Sequence, residues 1–280
     1  MSVHPTWLER ARARITDALA AAPRGPWNRG LWLTARERYR PLALPRGFRV
    51  EVVDAAGTPR RVLRCHGEGR PILVVPGLYA TLDEGLFLRI ARVAASETGR
   101  PVALLEDRLA RPTIALAGPP RLDPNEPGRE LGAVATMLGG SVDVLALSAG
   151  LVAAWSAPCS ALARVVGFSG IRDPAALAAH LAHTWLIRTY YGMQHRRALG
   201  GTTLSQRALE EALASWPPLE PPERQWLLVH AEDDPVVPVE TVDGLPRGRV
   251  CRVPRGGHLG FGVLAGVGIY VAPLAEVSDD

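Results

Sequence analysis

The chain has 280 residues, 47% of them apolar, with 28 glycines and 25 prolines. It is long enough to bury one full core and too apolar to be disordered as a whole. Its formal charge of +4 comes from 32 basic residues, all of them arginine, interleaved with acidic ones. No basic-aromatic platform or finger spacing accompanies them, so no nucleic-acid partner is expected, and a GC-rich genome explains the arginine bias more simply. Cys65, Cys159 and Cys251 form neither a metal pattern nor a disulfide framework. Each is expected to be a small buried apolar residue in a reducing, cytoplasmic setting.

Trp7 to Ala22 reads as an Arg-rich amphipathic helix with Trp7, Leu8, Ala11, Ile15 and Leu19 on one face, not as the apolar core of a signal peptide. Glu9 and Asp17 argue against a transit peptide, and packing on the domain or on a partner is the simpler role. An irregular stretch with Pro23, Pro26, Pro41 and Pro45 follows. Phe48–Val53 and Arg60–Cys65 then alternate around Ala55-Ala56-Gly57, the pattern of an antiparallel hairpin. From Pro71 the pattern changes. Ile72–Val75, Val102–Leu105, Val165–Phe168 and Trp226–Val229 are short buried runs, as in strands covered on both faces; Val142–Leu147 reads as a further buried strand, and Val250–Val253 is a possible short sixth. Helical segments are expected over Asp83–Glu97, Arg129–Leu138 and from Leu151 to Ser156, with Ala110–Gly128 a long Pro-rich loop.

Residues 144–163 carry no charge. A strand ending at Ser148 and a break at Pro158 make them a buried strand turning into a buried helix, and no transmembrane segment is expected. Alternating strands and helices predict an α/β fold, a mostly parallel twisted sheet with helices on both faces and the hairpin at one edge. Pro174 to Arg224 breaks the alternation with helical periodicity, four aromatics (Trp185, Tyr190, Tyr191, Trp216) and three histidines. That is more chain than a crossover needs, and it predicts a helical cap insertion. The organisation read from this is an N-terminal helical extension (1–47), a core (48–173 and 226–280) and a cap (174–225).

Active sites of open parallel sheets lie at the C-terminal strand ends. Four features fall there. Ala146-Leu147-Ser148-Ala149-Gly150 puts a serine between a buried strand and a helix start, flanked two residues away by small side chains, as a strained nucleophile turn requires. The N–H of Ala149 would face an oxyanion, and Pro76-Gly77-Leu78 offers the N–H of Leu78 as a second donor. Asp234, before Pro235, is the candidate acid that orients an imidazole. His258, among Gly256, Gly257 and Gly260, is the candidate base. Asp233 could cap a helix instead, His230 reads as structural, and Asp173 is an alternative acid. His180, His183 and His195 have no carboxylates at metal-ligand spacing, and Gly262, Gly266 and Gly268 do not follow a strand, so neither a metal nor a dinucleotide cofactor is expected.

From about Phe48 onward the sequence resembles the α/β-hydrolase superfamily. The resemblance rests on Pro76-Gly77-Leu78, Ala146 to Gly150, Asp234-Pro235-Val236-Val237-Pro238 and Gly256-Gly257-His258, the last two like strings of its esterase-like members. Pro76 stands where many members have His, and Ala146 replaces the first glycine of the elbow. The resemblance implies a Ser148–Asp234–His258 triad, with the chain order Ser, Asp, His, acting on a small-molecule acyl substrate by ester or thioester hydrolysis. Acyl transfer or cyclisation with the same triad, and a non-catalytic binding role, stay open, as do the acyl group and the oligomeric state.

Overall fold

Every side chain of Ile72–Val75 is buried, because the strand it forms lies inside a sheet covered on both sides. The computed structural model describes residues 6–22, 42–200 and 204–275. Among them are strands β1 (Arg49–Ala55), β2 (Thr58–Cys65), β3 (Ile72–Val75), β4 (Val102–Leu105), β5 (Val142–Leu147), β6 (Leu162–Phe168), β7 (Gln225–Ala231) and β8 (Val250–Val253). They form one sheet in the order β1-β2-β4-β3-β5-β6-β7-β8. β1 pairs antiparallel with β2, and β2 antiparallel with β4. All pairs from β4 across to β8 are parallel. The hairpin lies at the edge, as its alternation predicts, and turns through Ala56 and Gly57 at φ 55° and 85°.

The helices of the first half are α1 (Trp7–Ala20), α2 (Gly85–Thr98), α3 (Arg111–Ala117), α4 (Glu126–Met137) and α5 (Gly150–Ser156). Those of the second are α6 (Pro174–His183), α7 (Trp185–Leu199), α8 (Gln206–Ser215), α9 (Phe261–Ala265) and α10 (Gly268–Val271). Alternation along β3 splits the core into two layers. Ile72 and Val74 pack with Ile15 of α1, Phe87 of α2 and Phe261 of α9, whereas Leu73 and Val75 pack with Leu131 of α4 and Trp155 of α5. α1 begins in a Thr6–Glu9 capping box and buries Trp7, Ala11 and Ile15. The Trp7 Nε1–H donates to the Pro273 carbonyl at 2.7 Å, so this amphipathic helix packs on its own domain.

Three expectations need correction. Residues 110–128 are not one long loop: α3 and the start of α4 lie in them, each with proline in its first turn. Pro112 and Pro127 occupy positions whose N–H has no helical acceptor, so there proline starts a helix instead of breaking one. β6 begins at Leu162, three residues before the apolar run, and carries Arg164. Cys65 is half-buried, not buried. Cys251 is buried, while the Cys159 side chain and the stretch with Pro23, Pro26 and Pro41 lie outside the described residues. No described helix is long and apolar enough to cross a membrane; residues 144–163 run through β5, α5 and into β6.

β5 hides a charge at its N-terminal end. Asp143 is fully buried and takes an ion pair from Arg100 and a bidentate one from Arg164, with Arg70 Nη1 at 3.7 Å. Arg100 also donates to the carbonyls of Arg70 and Leu274, and the Arg164 guanidinium stacks on Trp7, 5.5 Å from the ring centre. The cluster joins β5, β6, α1 and the C-terminal segment at the sheet end away from the strand C-termini. Removing the carboxylate would strand two buried guanidiniums. Asp143→Ala is therefore expected to cost about 3–5 kcal/mol, read as a lowered urea midpoint at unchanged slope.

Candidate active site

The strand order reverses direction at β3. The chain leaves β3 for β4 on one side and returns to β5 on the other, and at such a switch point the loops after the strands diverge and leave a crevice. Ser148 follows β5 and the Gly77-Leu78 loop follows β3, so the topology alone brings these two segments to one crevice. Asp234 follows β7 and His258 follows β8, on the same edge of the sheet.

Ser148 is buried, at 3% exposure, and its backbone has φ 54°, the left-handed region that a residue with a side chain adopts only under constraint. The constraints are visible. Its N–H donates to the Phe168 carbonyl at 3.0 Å, and its own carbonyl accepts from Leu151 and Ile171 at 3.1 and 3.3 Å. Gly150 opens α5 so close to β3 that a Cβ there would lie 2.2 Å from the Val75 carbonyl oxygen. A Cβ on Gly77 would lie 3.0 Å from that of Ser148. Both glycines are needed for close approach, and Ala146 fits fully buried within β5. Ala149 precedes α5, where first-turn N–H groups lack helical acceptors.

The His258 Nε2 lies 2.8 Å from Ser148 Oγ, and its Nδ1 lies 3.1 Å from Asp234 Oδ2. Asp234 Oδ1 accepts from the N–H groups of Val236 and Val237 at 2.8 and 3.0 Å. Burial pushes the Asp234 carboxyl up, but the facing His258, His230 and the Val237 amide outweigh it and hold the group below the usual carboxylate range. His230 is fully buried, bonds the Val237 carbonyl at 2.9 Å, and is driven toward its neutral form by burial. Asp233 caps no helix. Its Oδ1 accepts from the N–H groups of Gly256 and Gly257, both at 2.8 Å, and so holds the loop that carries His258. Asp173 caps α6 through the Ala176 N–H at 2.9 Å. The structure thus brings Ser148, Asp234 and His258 together and gives Asp173 a different task.

The helices after β6 are tied to both halves of this crevice. His195 of α7 meets the Tyr79 hydroxyl at 3.0 Å and the Leu204 carbonyl at 2.9 Å, and His180 of α6 meets the Pro235 carbonyl at 3.1 Å. Ser148 and His258 open onto a pocket of about 430 Å³ bounded by Leu78, Phe87, Tyr190 and Tyr191. A larger cleft of about 800 Å³ lies beside it, walled by Pro76, Leu78, Ala149 and Gly150 and reaching Asp107, Leu213 and Trp216. Trp185, by contrast, is 71% exposed. Among the described residues no group of three or more His, Cys, Asp or Glu side chains could hold a metal ion.

Solved structures share this fold. An alpha/beta hydrolase fold protein from Nakamurella multipartita superposes with a TM-score of 0.55 at 16% identity, over 81% of this chain and 98% of that one. The chain has the α/β-hydrolase fold. A proline iminopeptidase-related protein from Thermus thermophilus matches equally well, with a TM-score of 0.55 at 16% identity over 81% and 97% of the two chains. Epoxide hydrolases from metagenomes of hot environments match with a TM-score of 0.52 at 14% identity over 81% and 97%. No family model matches the sequence, and no curated protein does. Likeness at this identity extends to the α/β-hydrolase fold and not to a reaction.

Sequence reasoning passed over Asp107, which follows β4 and lines the larger cleft. Its Oδ1 accepts from the N–H groups of Tyr79 and Leu109 at 2.7 and 3.0 Å. Burial pushes its carboxyl up to about 6, against the pull of Arg60, of these two amides and of Arg108. The folded state therefore keeps this proton to higher pH than the unfolded chain does. The resulting stabilisation is fully present below the unfolded value of about 3.9 and is lost as pH rises through about 6. Asp107→Asn, which does not titrate, is expected to gain thermal stability relative to the wild type across that interval, read from melting temperatures at a series of pH values. A constant difference would sink the assignment.

Proposed function

We propose that the chain is a serine hydrolase that cleaves a carboxylic ester or thioester through an acyl-Ser148 intermediate. The observation that carries this reading is the relay from Ser148 Oγ to His258 Nε2 at 2.8 Å and from His258 Nδ1 to Asp234 at 3.1 Å. The φ of 54° at the strand-to-helix turn fits the strained nucleophile turn that this chemistry uses. His258 removes the Ser148 proton as Oγ attacks the acyl carbonyl, and it returns that proton to the departing alcohol or thiol. A water deprotonated by His258 then attacks the acyl-enzyme, and the carboxylic acid leaves as Ser148 regains its proton. Asp234 fixes the tautomer and stabilises the imidazolium, and its bonds to Val236 and Val237 keep it aimed. The N–H groups of Ala149 and Leu78 are assigned to the oxyanion.

The segment 174–225 is assigned as a cap over this site, which its Tyr190 and Tyr191 in the Ser148 pocket support. Acyl transfer to an alcohol or amine uses the same groups. The apolar lining of that pocket suits it as well, and comparing products with and without an acceptor separates the two. The free thiols of Cys65 and Cys251 support the cytoplasmic assignment.

Ser148→Ala is expected to lower kcat on an activated short-chain para-nitrophenyl ester by on the order of 10⁴-fold or more and to abolish labelling by a fluorophosphonate. Asp234→Asn, which preserves shape but permits the wrong tautomer, is expected to lower kcat by roughly 10⁴-fold. Wild-type turnover in the Ser148 variant would refute the reading.

A further inference from the structure

After β3 the chain turns through Gly77-Leu78-Tyr79-Ala80, and the Ala80 N–H donates to the Gly77 carbonyl at 3.3 Å to close the turn. Tyr79, its third residue, has φ 64°, whereas Leu78 lies outside the left-handed region. That combination is a type II turn, whose third position is ordinarily glycine because φ is positive there. A tyrosine at this position is strained, and it persists only where its neighbours over-determine it.

Two sets of bonds do so, and they lead to different parts of the fold. On the β4 side the Tyr79 N–H donates to Asp107 Oδ1 at 2.7 Å, and the Asp107 N–H donates to the Ala80 carbonyl at 3.0 Å. On the other side the Tyr79 hydroxyl meets Nδ1 of His195 in α7 at 3.0 Å. Both side chains are buried, and their rings stand edge to face with centres 5.9 Å apart. The His195 Nε2 lies 2.9 Å from the Leu204 carbonyl. A carbonyl can only accept, so Nε2 carries the proton toward it, and in the neutral ring Nδ1 accepts from the Tyr79 O–H.

The strain at Tyr79 is therefore held in part by the segment after β6. Relaxing Tyr79 to a negative φ would convert the turn toward type I, in which the central peptide, here Leu78–Tyr79, points the opposite way. Leu78 would move with it. Its N–H is assigned to the oxyanion, and its side chain borders both the Ser148 pocket and the larger cleft.

We propose that Tyr79 is a positioning residue for the Ser148 reaction: through its bond to His195, the docked cap holds the turn in the conformation that aims the Leu78 N–H at the oxyanion. This rests on the acyl-Ser148 reading, in which Leu78 supplies that donor. Tyr79 touches no reacting atom and acts through Leu78, so the oxyanion site is complete only while α7 stays docked.

Tyr79→Phe tests this, since it keeps the ring and the backbone bond to Asp107 and removes the hydroxyl alone. On an activated short-chain ester, kcat is expected to fall about 10- to 100-fold with KM changed less than about twofold. A trifluoromethyl ketone adds Ser148 Oγ to its carbonyl carbon, the serine proton passes to His258, and the carbonyl oxygen becomes an oxyanion. Its affinity is expected to fall by the same factor as kcat, while the matched methyl ketone changes less than about twofold. His195→Leu is expected to lose as much as Tyr79→Phe, and the double variant no more than either. His195→Asn places an acceptor near the position of Nδ1 and is expected to recover most of the lost kcat. A merely structural role would weaken both ketones together and would not be rescued by asparagine. Wild-type kcat in Tyr79→Phe, equal losses for the two ketones, or additive losses in the double variant would each overturn the proposal; if His195→Leu fails to fold, Tyr79→Phe and the ketone pair decide. Fluorophosphonate labelling of the wild type is scored separately. A labelled protein whose Tyr79→Phe variant keeps full kcat refutes this inference alone, whereas an unlabelled wild type refutes the serine-hydrolase reading and this inference with it.

Discussion

The close approach of the β5 elbow to the end of β3 is the constraint from which the rest of the site follows. At Gly150 the backbone passes so near the Val75 carbonyl that no side chain fits, with 2.2 Å to a built Cβ. That contact sets the angle at which α5 leaves the sheet, and the angle forces Ser148 into the left-handed region. Such a conformation costs on the order of 1–3 kcal/mol and persists only where neighbours over-determine it. The bonds to Phe168, Leu151 and Ile171 do so from the β6 side, and Gly77 closes on the serine from the β3 side. With the backbone held there, Ser148 Oγ lies 2.8 Å from His258 Nε2.

Three carboxylates held away from bulk water divide the molecule electrostatically, and their partners explain their different behaviour. Asp143 is surrounded by arginines and serves cohesion at the far end of the sheet. Asp234 is also buried, but it faces an imidazole and two amides, which overcome desolvation and keep it an anion. Asp107 has amides on one oxygen only and makes no ion pair among the described residues, so desolvation wins and its pKa rises to about 6. Desolvation alone would push Asp234 and Asp107 upward. The partner on the second oxygen decides which carboxylate is held by arginines, which faces an imidazole and which has neither.

The sheet was legible because strands covered on both faces must be continuously apolar, and a run such as Ile72-Leu73-Val74-Val75 admits few other readings. The elbow was legible for a related reason: a serine between such a run and Ala149-Gly150 has little room for anything else. What escaped depends on contacts distant in sequence. Asp143 looks like a blemish in an apolar strand until Arg100 and Arg164 arrive from other elements. Asp233 has the composition of a helix cap, yet it binds two glycine amides more than twenty residues away. Proline at 112 and 127 suggested loop, since the same residue opens a helix or ends one depending on which N–H it removes. Asp107 showed no local pattern, because the amide of Tyr79 that binds it comes from the loop after β3, 28 residues earlier.

The helices after β6 then take on a more specific role than covering the sheet edge. His195 bonds Tyr79, whose own N–H is held by Asp107, and His180 bonds Pro235, beside Asp234. The segment thus grips the loop after β3 and the loop after β7 at once, the two that frame Ser148 from opposite sides. Tyr190 and Tyr191 face the Ser148 pocket, while Leu209 and Leu213 face the larger cleft, and Leu78 borders both. Swinging this segment outward would therefore open both spaces and release Tyr79 next to Leu78. Because Tyr79 is tied to Asp107 as well as to His195, the loop on which Leu78 sits is held from the β4 side and from α7 at once.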